Sequence, residues 1–266
     1  MFNGPVNVRY REIRVARLPI EADGLRIAHI SDLHLRGFDV AVAEAQARLM
    51  RLDYHVLVCT GDLGAYPEPV ERTARLCRLF FDPLADRSQC LAILGNHDSE
   101  RLADCQEIPV RFLRDEWLTV RVGGLSIVVA GLNQASGHHG DVDRALAGAP
   151  PDCVAVLLAH YPSAVYRVRD DRVRVVLCGH THGGQIRFPG IGCLWAHDRI
   201  PGRLAWGLHA IHGRSLHVTA GIGVSWPLRF RFLCPPEVVV VTLRRAPGVS
   251  DVRRREGDEA LAEVAA

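Results

Sequence analysis

The sequence predicts an α/β protein in which parallel strands alternate with helices. In the N-terminal part of the chain, apolar strand-like segments precede amphipathic helix-like segments, and polar strand ends recur at Asp32, Asp62 and Asn96. Their spacing of about thirty residues is that of a βαβ unit, whose strands are parallel because a crossover connection joins them. Ligands bind beyond the carboxyl ends of the strands in such sheets, so we expect these three side chains to converge.

Length and composition limit the class of protein. The chain has 266 residues, of which 48% are hydrophobic and 23% are charged, so it is long enough to bury a full globular core. Its formal net charge is +2 at pH 7. Because a dedicated nucleic-acid-binding protein normally carries a clustered basic surplus, we expect no nucleic-acid partner.

The cysteines and the termini bear on where the protein works. Its eight cysteines include no Cys-x-x-Cys pair, which is typical of a reduced chain. No apolar signal segment and no run approaching the ~20 apolar residues of a membrane span is present. We therefore expect a cytoplasmic protein, and the sequence leaves open its oligomeric state and a peripheral contact with a membrane. One domain is predicted over residues 1–244, followed by a polar tail over residues 245–266 that includes Arg253–Arg255.

Hydrophobic periodicity predicts the elements of the first half of the chain. Residues 6–18 alternate between polar and apolar side chains, as in an edge strand or a hairpin arm. A helix over residues 39–52 begins at Asp39, a favourable N-cap, and presents one apolar face. The other predicted elements are strands over 25–30, 56–59 and 90–94, a helix over 68–84, and an interrupted helix over 100–116.

The second half of the chain is predicted to be rich in strands. Residues 117–122 and 125–130 indicate a hairpin, because Gly123 and Gly124 form a favourable two-residue turn between them. The remaining elements are a polar loop over 131–141, strands over 153–159 and 173–178, an extended loop region over 183–214, and strands over 216–219 and 238–243.

Side chains that bind metals follow five of the predicted strands. They are Asp32, His34, Asp62, Asn96, His97, His160, His180 and His182. Carboxylate, imidazole and amide-oxygen donors together suit a hard-to-borderline divalent cation. Any one of these residues alone could be an ordinary turn residue, but independent turns would not keep this order of residue types.

The donors divide into two sets if two cations are bound. Two cations ~3.5–4 Å apart share a carboxylate, and Asp62 is the candidate because it is central in the order of strands. One predicted set is Asp32, His34, Asp62 and His182. The other is Asp62, Asn96, His160 and His180. Each set leaves room for a bridging water.

The motifs resemble those of the calcineurin-like metallophosphoesterases. That family's pattern is Asp-x-His, Gly-Asp, Gly-Asn-His-Asp, a histidine after a strand, and Gly-His-x-His, and all five occur here in order between about residues 25 and 185. A second, looser resemblance lies in Gly183–Ile186, Pro227–Phe230 and Pro235–Glu237. These stretches are similar to a small bacterial branch that includes phosphodiesterases and a UDP-2,3-diacylglucosamine pyrophosphatase.

The resemblance implies a fold and an activity. The fold would be a four-layer αββα sandwich, with two divalent cations (Mn, Fe or Zn) at the strand ends. The activity would be a phosphodiesterase in which a metal-bridging hydroxide attacks phosphorus in a small-molecule or lipid-linked phosphate ester. His97 would then protonate the leaving oxygen or stabilise its charge, with Asp98 orienting its ring. Thr219-Ala220-Gly221 replaces the Ser-Arg-Gly expected of the branch.

Other functions and residues stay open at this point. A UDP-2,3-diacylglucosamine pyrophosphatase-like lipid-pathway hydrolase, a monoesterase acting on phosphoproteins, and a non-catalytic scaffold would share the fold, although a scaffold would be expected to lose a ligand or His97. His29 is predicted to pack within its strand. The histidines predicted at the surface or in loops are His55, His209, His212 and His217. Roles are left open for His138, His139, His197 and Arg187.

Overall fold

Two six-stranded sheets pack face to face in the computed structural model, which describes residues 4–193, 195–224 and 230–247. The strands are β1 (Asn7–Val15), β2 (Arg26–Ile30), β3 (Val56–Thr60), β4 (Gln89–Ile93), β5 (Arg111–Phe112), β6 (Glu116–Val122), β7 (Leu125–Gly131), β8 (Ala155–Leu158), β9 (Val173–Cys178), β10 (Arg187–Phe188), β11 (Gly192–Cys193), β12 (Gly207–Ile211), β13 (Arg214–Val218) and β14 (Glu237–Arg245). The α-helices are α1 (Val40–Leu49), α2 (Val70–Ala85) and α3 (Val142–Ala145).

The strand order places the predicted βαβ units in the middle of the first sheet. That sheet has the order β1-β14-β2-β3-β4-β5, and β2, β3 and β4 run parallel. The second sheet has the order β12-β13-β9-β8-β7-β6, with β7, β8, β9 and β13 parallel. Strand β1 lies at an edge and pairs in parallel with β14, so the predicted edge strand is confirmed and it is not a hairpin arm.

Alternating side chains explain how the strands build the layers. In β3, Val56 and Val58 face the second sheet, whereas Leu57 and Cys59 face α1 and α2. Asp39 caps α1 by accepting the N–H of Val42 at 3.0 Å, as its sequence position predicts.

The predicted αββα order of layers is confirmed. Helices α1 and α2 cover the outer face of the first sheet. The outer face of the second sheet is covered by α3 and by a 3₁₀ segment over Pro162–Arg167, which makes that layer the thinner one. Within the described part of the chain, every helix is too short or too polar to span a bilayer.

The structure corrects two predicted segments. Residues 100–116 form only a 3₁₀ turn over Glu100–Asp104, followed by β5, because Pro109 lacks an N–H and disfavours helix in the residue before it. The predicted loop region 183–214 contains β10, β11 and β12. Strand β12 forms because residues 207–211 pair antiparallel with β13.

Some sequence expectations fall outside the described residues. These are Pro227–Arg229 of the second resemblance, Arg253–Arg255, and all of the predicted tail beyond residue 247.

Candidate metal centre

Loops that leave the carboxyl ends of five strands meet at one end of the sandwich. Three follow β2, β3 and β4 of the first sheet, and two follow β8 and β9 of the second. They bring together two groups of potential metal donors, and within each group the donor atoms lie within 4.8 Å of one another. The first group is Asp32, His34 and His182, and the second is Asp62, His160 and His180.

The first group is a tight arrangement of two imidazoles and one carboxylate. His34 Nε2 lies 3.0 Å from His182 Nε2. The Asp32 Oδ1 atom lies 3.4 Å from His182 Nε2 and 3.9 Å from His34 Nε2. All three side chains are buried or nearly so, and the two histidine rings stack at 4.9 Å between centroids. Three donors therefore face one small volume.

Asp62 belongs to the second group and also faces the first. Its Oδ2 atom is 3.3 Å from His160 Nε2 in the second group and 3.6 Å from His34 Nε2 in the first. Asn96 adds an amide oxygen, because its Oδ1 atom lies 3.0 Å from His160 Nε2. The Asp62 carboxylate thus lies close to a histidine of each group, as expected of a ligand that bridges two cations.

The hydrogen bonds of the histidines show whether these donors fit a cation. His160 Nδ1 donates to the carbonyl of Thr60 at 2.8 Å, so in the neutral ring Nε2 carries a lone pair and points at the Asp62 carboxylate. His180 Nε2 donates a hydrogen bond to the carbonyl of His197 at 2.8 Å. The lone pair of the neutral ring is then on Nδ1, which can bind a metal. Lone pairs and carboxylates that face one another are satisfied by a bound cation, so the residues fit divalent metals.

The electrostatics of the site favour positive charge near Asp62. Although burial alone would lower the pKa of His160, the Asp62 carboxylate raises it to about 9. Burial opposes ionisation of Asp62, yet the charge on His160 holds the pKa of Asp62 well below its ordinary value. Burial also lowers the pKa of His34 and of His180 to about 4. These two rings are therefore neutral at pH 7, which is the form that binds a metal.

Five of the seven predicted ligands have a left-handed backbone. Their φ angles are 52° at Asp32, 44° at His34, 53° at Asp62, 68° at His180 and 51° at His182. Such conformations cost about 1–3 kcal/mol each in non-glycine residues and persist where the surrounding structure enforces them. The concentration of backbone strain in these loops is independent support for a functional site.

Two motif glycines allow the loops to approach closely. A Cβ atom at Gly95 would overlap the Asp62 carboxylate, and one at Gly179 would overlap Ser31 and the Asp32 carboxylate. The glycines of these motifs are therefore required for packing between the loops.

Asp98 contacts the loops rather than the ring that it was predicted to orient. Its carboxylate accepts the backbone N–H groups of Gly95 at 2.9 Å, Gly64 at 2.9 Å and Leu63 at 3.2 Å. No hydrogen bond to the His97 imidazole is present among the described residues. This bonding gives Asp98 a positioning role, because it ties the loop of Asp62 to that of Asn96.

His97 lies at the mouth of the centre. Its backbone N–H donates to Asp62 Oδ1 at 2.9 Å, and its Nε2 atom is 3.9 Å from Asp62 Oδ2. The side chain is 36% exposed and packs edge-on against His34. This position leaves its ring accessible to a bound substrate, as a proton donor requires.

Arg231 is a buried residue near the ligands that sequence reasoning missed. Its Nη2 atom donates to the carbonyl of Ala220 at 2.8 Å and lies 3.3 Å from His182 Nδ1. The guanidinium thus packs behind a predicted ligand. An arginine between two phenylalanines, Phe230 and Phe232, is the one signal that could have marked it.

Gln134 is a second positioning residue that was missed. Its Oε1 atom accepts the backbone N–H groups of His160 and of Tyr161, and its Nε2 donates to the carbonyl of His139 at 2.9 Å. The side chain is fully buried. It therefore fixes the start of the loop that carries His160, and nothing in the local sequence marks it.

The residues whose roles were left open surround the centre in different ways. Arg187 donates to the carbonyl of Gly183 at 2.8 Å and lies over the ring of Trp206, so it supports the loop of His182. The ring of His139 packs against Tyr161 at 5.7 Å. His138 and His197 are exposed.

Two cavities lined by described residues adjoin the centre. One of about 370 Å³ is lined by Asn96, His97 and side chains at the start of α2. The other, of about 650 Å³, is lined by Tyr161 and His197, which both contact His180.

Comparisons with known proteins agree with this geometry. Residues 25–184 match the profile of the family described as calcineurin-like phosphoesterase. The chain is 31% identical over 242 residues to the phosphodiesterase YaeI of Escherichia coli, with 86% of each chain covered. It is 26% identical over 246 residues to the uncharacterized metallophosphoesterase YkuE of Bacillus subtilis, covering 87% of this chain and 83% of the other. It is 27% identical over 284 residues to the UDP-2,3-diacylglucosamine pyrophosphatase LpxG of Chlamydia trachomatis, covering 82% and 83%.

Proposed function

This chain belongs to the calcineurin-like phosphoesterase family, and we propose that within this family of metal-dependent hydrolases it is a phosphodiesterase with two divalent cations. The cations would be held by the seven predicted ligands. These are Asp32, His34, Asp62, Asn96, His160, His180 and His182. The observation that carries the proposal is the position of Asp62 Oδ2, within 3.6 Å of a histidine of each donor group.

Different residues of the chain have different roles in the proposed reaction. When bound, the two cations would supply a hydroxide nucleophile from water and neutralise charge on the phosphate. Asp32 is held in place because its carboxylate accepts the backbone N–H of His180. Asp98 holds the loops of Asp62 and Asn96 at a fixed separation. His97 would donate a proton from its ring to the leaving oxygen.

The two cavities support a diester over a monoester. A phosphodiester carries two organic groups, and the centre has one cavity beside His97 and another beside Tyr161. Each group could therefore occupy its own cavity while the phosphate lies at the metals. A monoester would leave one cavity without an occupant.

A second candidate is a hydrolase of a nucleotide–lipid pyrophosphate. It is supported by the 27% identity to the UDP-2,3-diacylglucosamine pyrophosphatase of Chlamydia trachomatis. Such a substrate carries one organic group as an ester on the reacting phosphate and the other through the second phosphate, so the same two cavities would serve it. The choice of metal among Mn, Fe and Zn is open in both cases because mixed nitrogen and oxygen donors accept all three.

A substrate panel tests the proposal. Metal-free protein would be supplied in turn with Mn²⁺, Fe²⁺ and Zn²⁺ and assayed with bis-p-nitrophenyl phosphate, p-nitrophenyl phosphate and UDP-2,3-diacylglucosamine. We expect metal-dependent hydrolysis that is faster for the diester than for the monoester. A faster monoester would indicate a phosphomonoesterase, and a much faster UDP-lipid would indicate the pyrophosphatase. No turnover of any substrate with any metal would reject an enzyme and favour a scaffold.

A further inference from the structure

Large apolar side chains are exposed together on one part of the surface. The segment 188–195 exposes Phe188, Ile191 and Trp195, and the segment 230–233 exposes Phe230, Phe232 and Leu233. Ile191 is 71% exposed and Trp195 is 69% exposed. We call these six residues the aromatic face. Exposed apolar side chains that occur singly need no explanation, whereas a cluster marks an interaction site.

Contacts at Phe188 and Phe232 join the two segments. Ile186 and Phe232 form a β-bridge, and the N–H of Arg187 donates to the carbonyl of Phe232 at 3.0 Å. The rings of Phe188 and Phe232 lie 6.2 Å apart. Ile191 stands at the turn between β10 and β11, where its N–H donates to the carbonyl of Phe188. Phe188, Ile191 and Phe232 therefore lie on paired backbone, and Trp195, Phe230 and Leu233 lie within three residues of it along the chain.

The face adjoins the metal centre. The N–H of Phe232 donates to the carbonyl of Gln185, whose own N–H donates to the carbonyl of His182. On the other flank, Trp195 lines the cavity that also contains Tyr161, whose ring contacts His180 at 4.5 Å. A surface bound to this face would therefore lie next to an entrance of the centre.

Arginine side chains beside the aromatic face indicate what kind of surface binds to it. Arg199 lines the same cavity as Trp195, and Arg203 follows Gly202 of that cavity. Both arginines are exposed, and neither forms an ion pair with a described residue. The neighbouring carboxylate of Asp198 accepts the backbone N–H groups of Ser163 and Arg199, and it forms no ion pair with either arginine side chain. Tryptophan and phenylalanine beside unpaired arginines are typical of surfaces that bind the interface of an anionic bilayer.

We propose that the aromatic face docks the protein onto an anionic phospholipid bilayer, with the metal centre beside the lipid surface. Ile191 and Trp195 would enter the headgroup region, and Arg199 and Arg203 would contact lipid phosphates. Docking does not depend on hydrolysis, so it stands or fails apart from the proposed function.

Vesicle sedimentation tests the docking. The full chain is mixed with vesicles of phosphatidylcholine alone or of phosphatidylcholine with an equal part of phosphatidylglycerol. We expect the wild-type chain to sediment with the anionic vesicles, and more weakly in high salt because the headgroup attraction is screened. The double variant Ile191→Glu/Trp195→Glu should lower the bound fraction at least about tenfold, because it removes two apolar side chains that would be buried in the headgroup region on binding.

Matched controls decide the outcome. The double control Val40→Glu/Leu79→Glu introduces the same two charges at exposed apolar residues of α1 and α2, 84% and 59% exposed, and should sediment like wild type. Thermal melts establish that each variant is folded, and Asp62→Asn should still sediment even where it does not hydrolyse. Equal sedimentation of the double variant and wild type, or none of the wild type, would overturn the proposal. A wild-type dimer that the double variant converts to a monomer in solution would also overturn it, in favour of self-association.

Discussion

Two pairs of buried histidines lie at different levels of the same sandwich, and only one is part of a candidate metal centre. His34 and His182 lie at the strand ends with their Nε2 atoms 3.0 Å apart. His29 and His217 lie deeper, on facing sheets, with their Nδ1 atoms 3.2 Å apart. Both pairs are almost completely buried. The distance between rings therefore does not distinguish them.

The two pairs differ in whether carboxylates lie beside the histidine rings. Asp32 lies within 3.9 Å of both rings of the outer pair, and Asp62 is also in reach. The inner pair has the hydroxyl of Thr60, 3.0 Å from His29 Nε2, as its other partner. Burial then lowers the pKa of His29 far below its ordinary value and that of His217 to about 3. At the outer pair the carboxylates offset the charge of a bound cation, whereas the inner rings, buried without a carboxylate partner among the described residues, are neutral core residues.

The largest expected effect comes from removing the carboxylate that the outer pair shares with the second donor group. Asp62→Asn should lower the rate of diester hydrolysis at least about a thousandfold, because a neutral amide cannot bridge two cations. The matched control is Asp53→Asn, at a carboxylate that is 84% exposed and pairs with Arg26. It should retain nearly the wild-type rate. A wild-type rate in Asp62→Asn would remove the distinction between the pairs.

Replacing His97 should have a smaller effect that depends on the leaving group. His97→Asn should slow hydrolysis of a diester with a poor leaving group, such as an alkyl ester, about a hundredfold because a proton donor is lost. A p-nitrophenolate leaving group needs little protonation, so its rate should fall much less. Equal losses for both substrates would show that His97 serves binding instead of proton transfer.

The inner pair should matter for stability and hardly for turnover. His217→Leu keeps much of the side-chain volume but leaves His29 Nδ1 without a buried partner. We expect the free energy of unfolding to fall by about 1–3 kcal/mol and kcat to stay within about twofold of wild type. Urea denaturation and steady-state kinetics measure the two effects. A large loss of kcat in a fully folded sample would connect the inner pair to the chemistry.

The smallest effect is a pH dependence of stability that belongs to the inner pair. Both rings are neutral when folded and take up protons when unfolded at an ordinary pKa near 6.5. Their contribution is therefore complete above that pH, and it is lost as the pH falls toward the folded pKa of about 3 for His217. Each ring adds a slope of up to about 1.4 kcal/mol per pH unit within this window. His217→Leu should make the loss between pH 6.5 and pH 5 shallower, and an unchanged slope would contradict this assignment.

The clustering of the seven predicted ligands could be expected from sequence because each lies within four residues of the end of one of five strands. A strand end fixes where the next side chain lies, so Asp32, Asp62 and Asn96 were located by local pattern alone. The same pattern explains why His160 and His180 were found, although they belong to the second sheet.

The rest depended on contacts between distant parts of the chain. His217 was predicted at the surface or in a loop, yet it is buried in β13, because the pairing of that strand with β9 and β12 is not visible in its own residues. Arg231 and Gln134 reach the ligands only through tertiary packing. The left-handed backbone at Asp32 and Asp62 was not predicted either, because Asp adopts this conformation more readily than most residues and the local sequence does not show where it does so.

Anomalous diffraction from crystals grown with Mn²⁺ measures the arrangement of the centre most directly. Two peaks are expected, one among Asp32, His34 and His182 and the other among Asn96, His160 and His180, with the Asp62 carboxylate between them. A single peak, or two peaks that do not share Asp62, would contradict the two-cation centre.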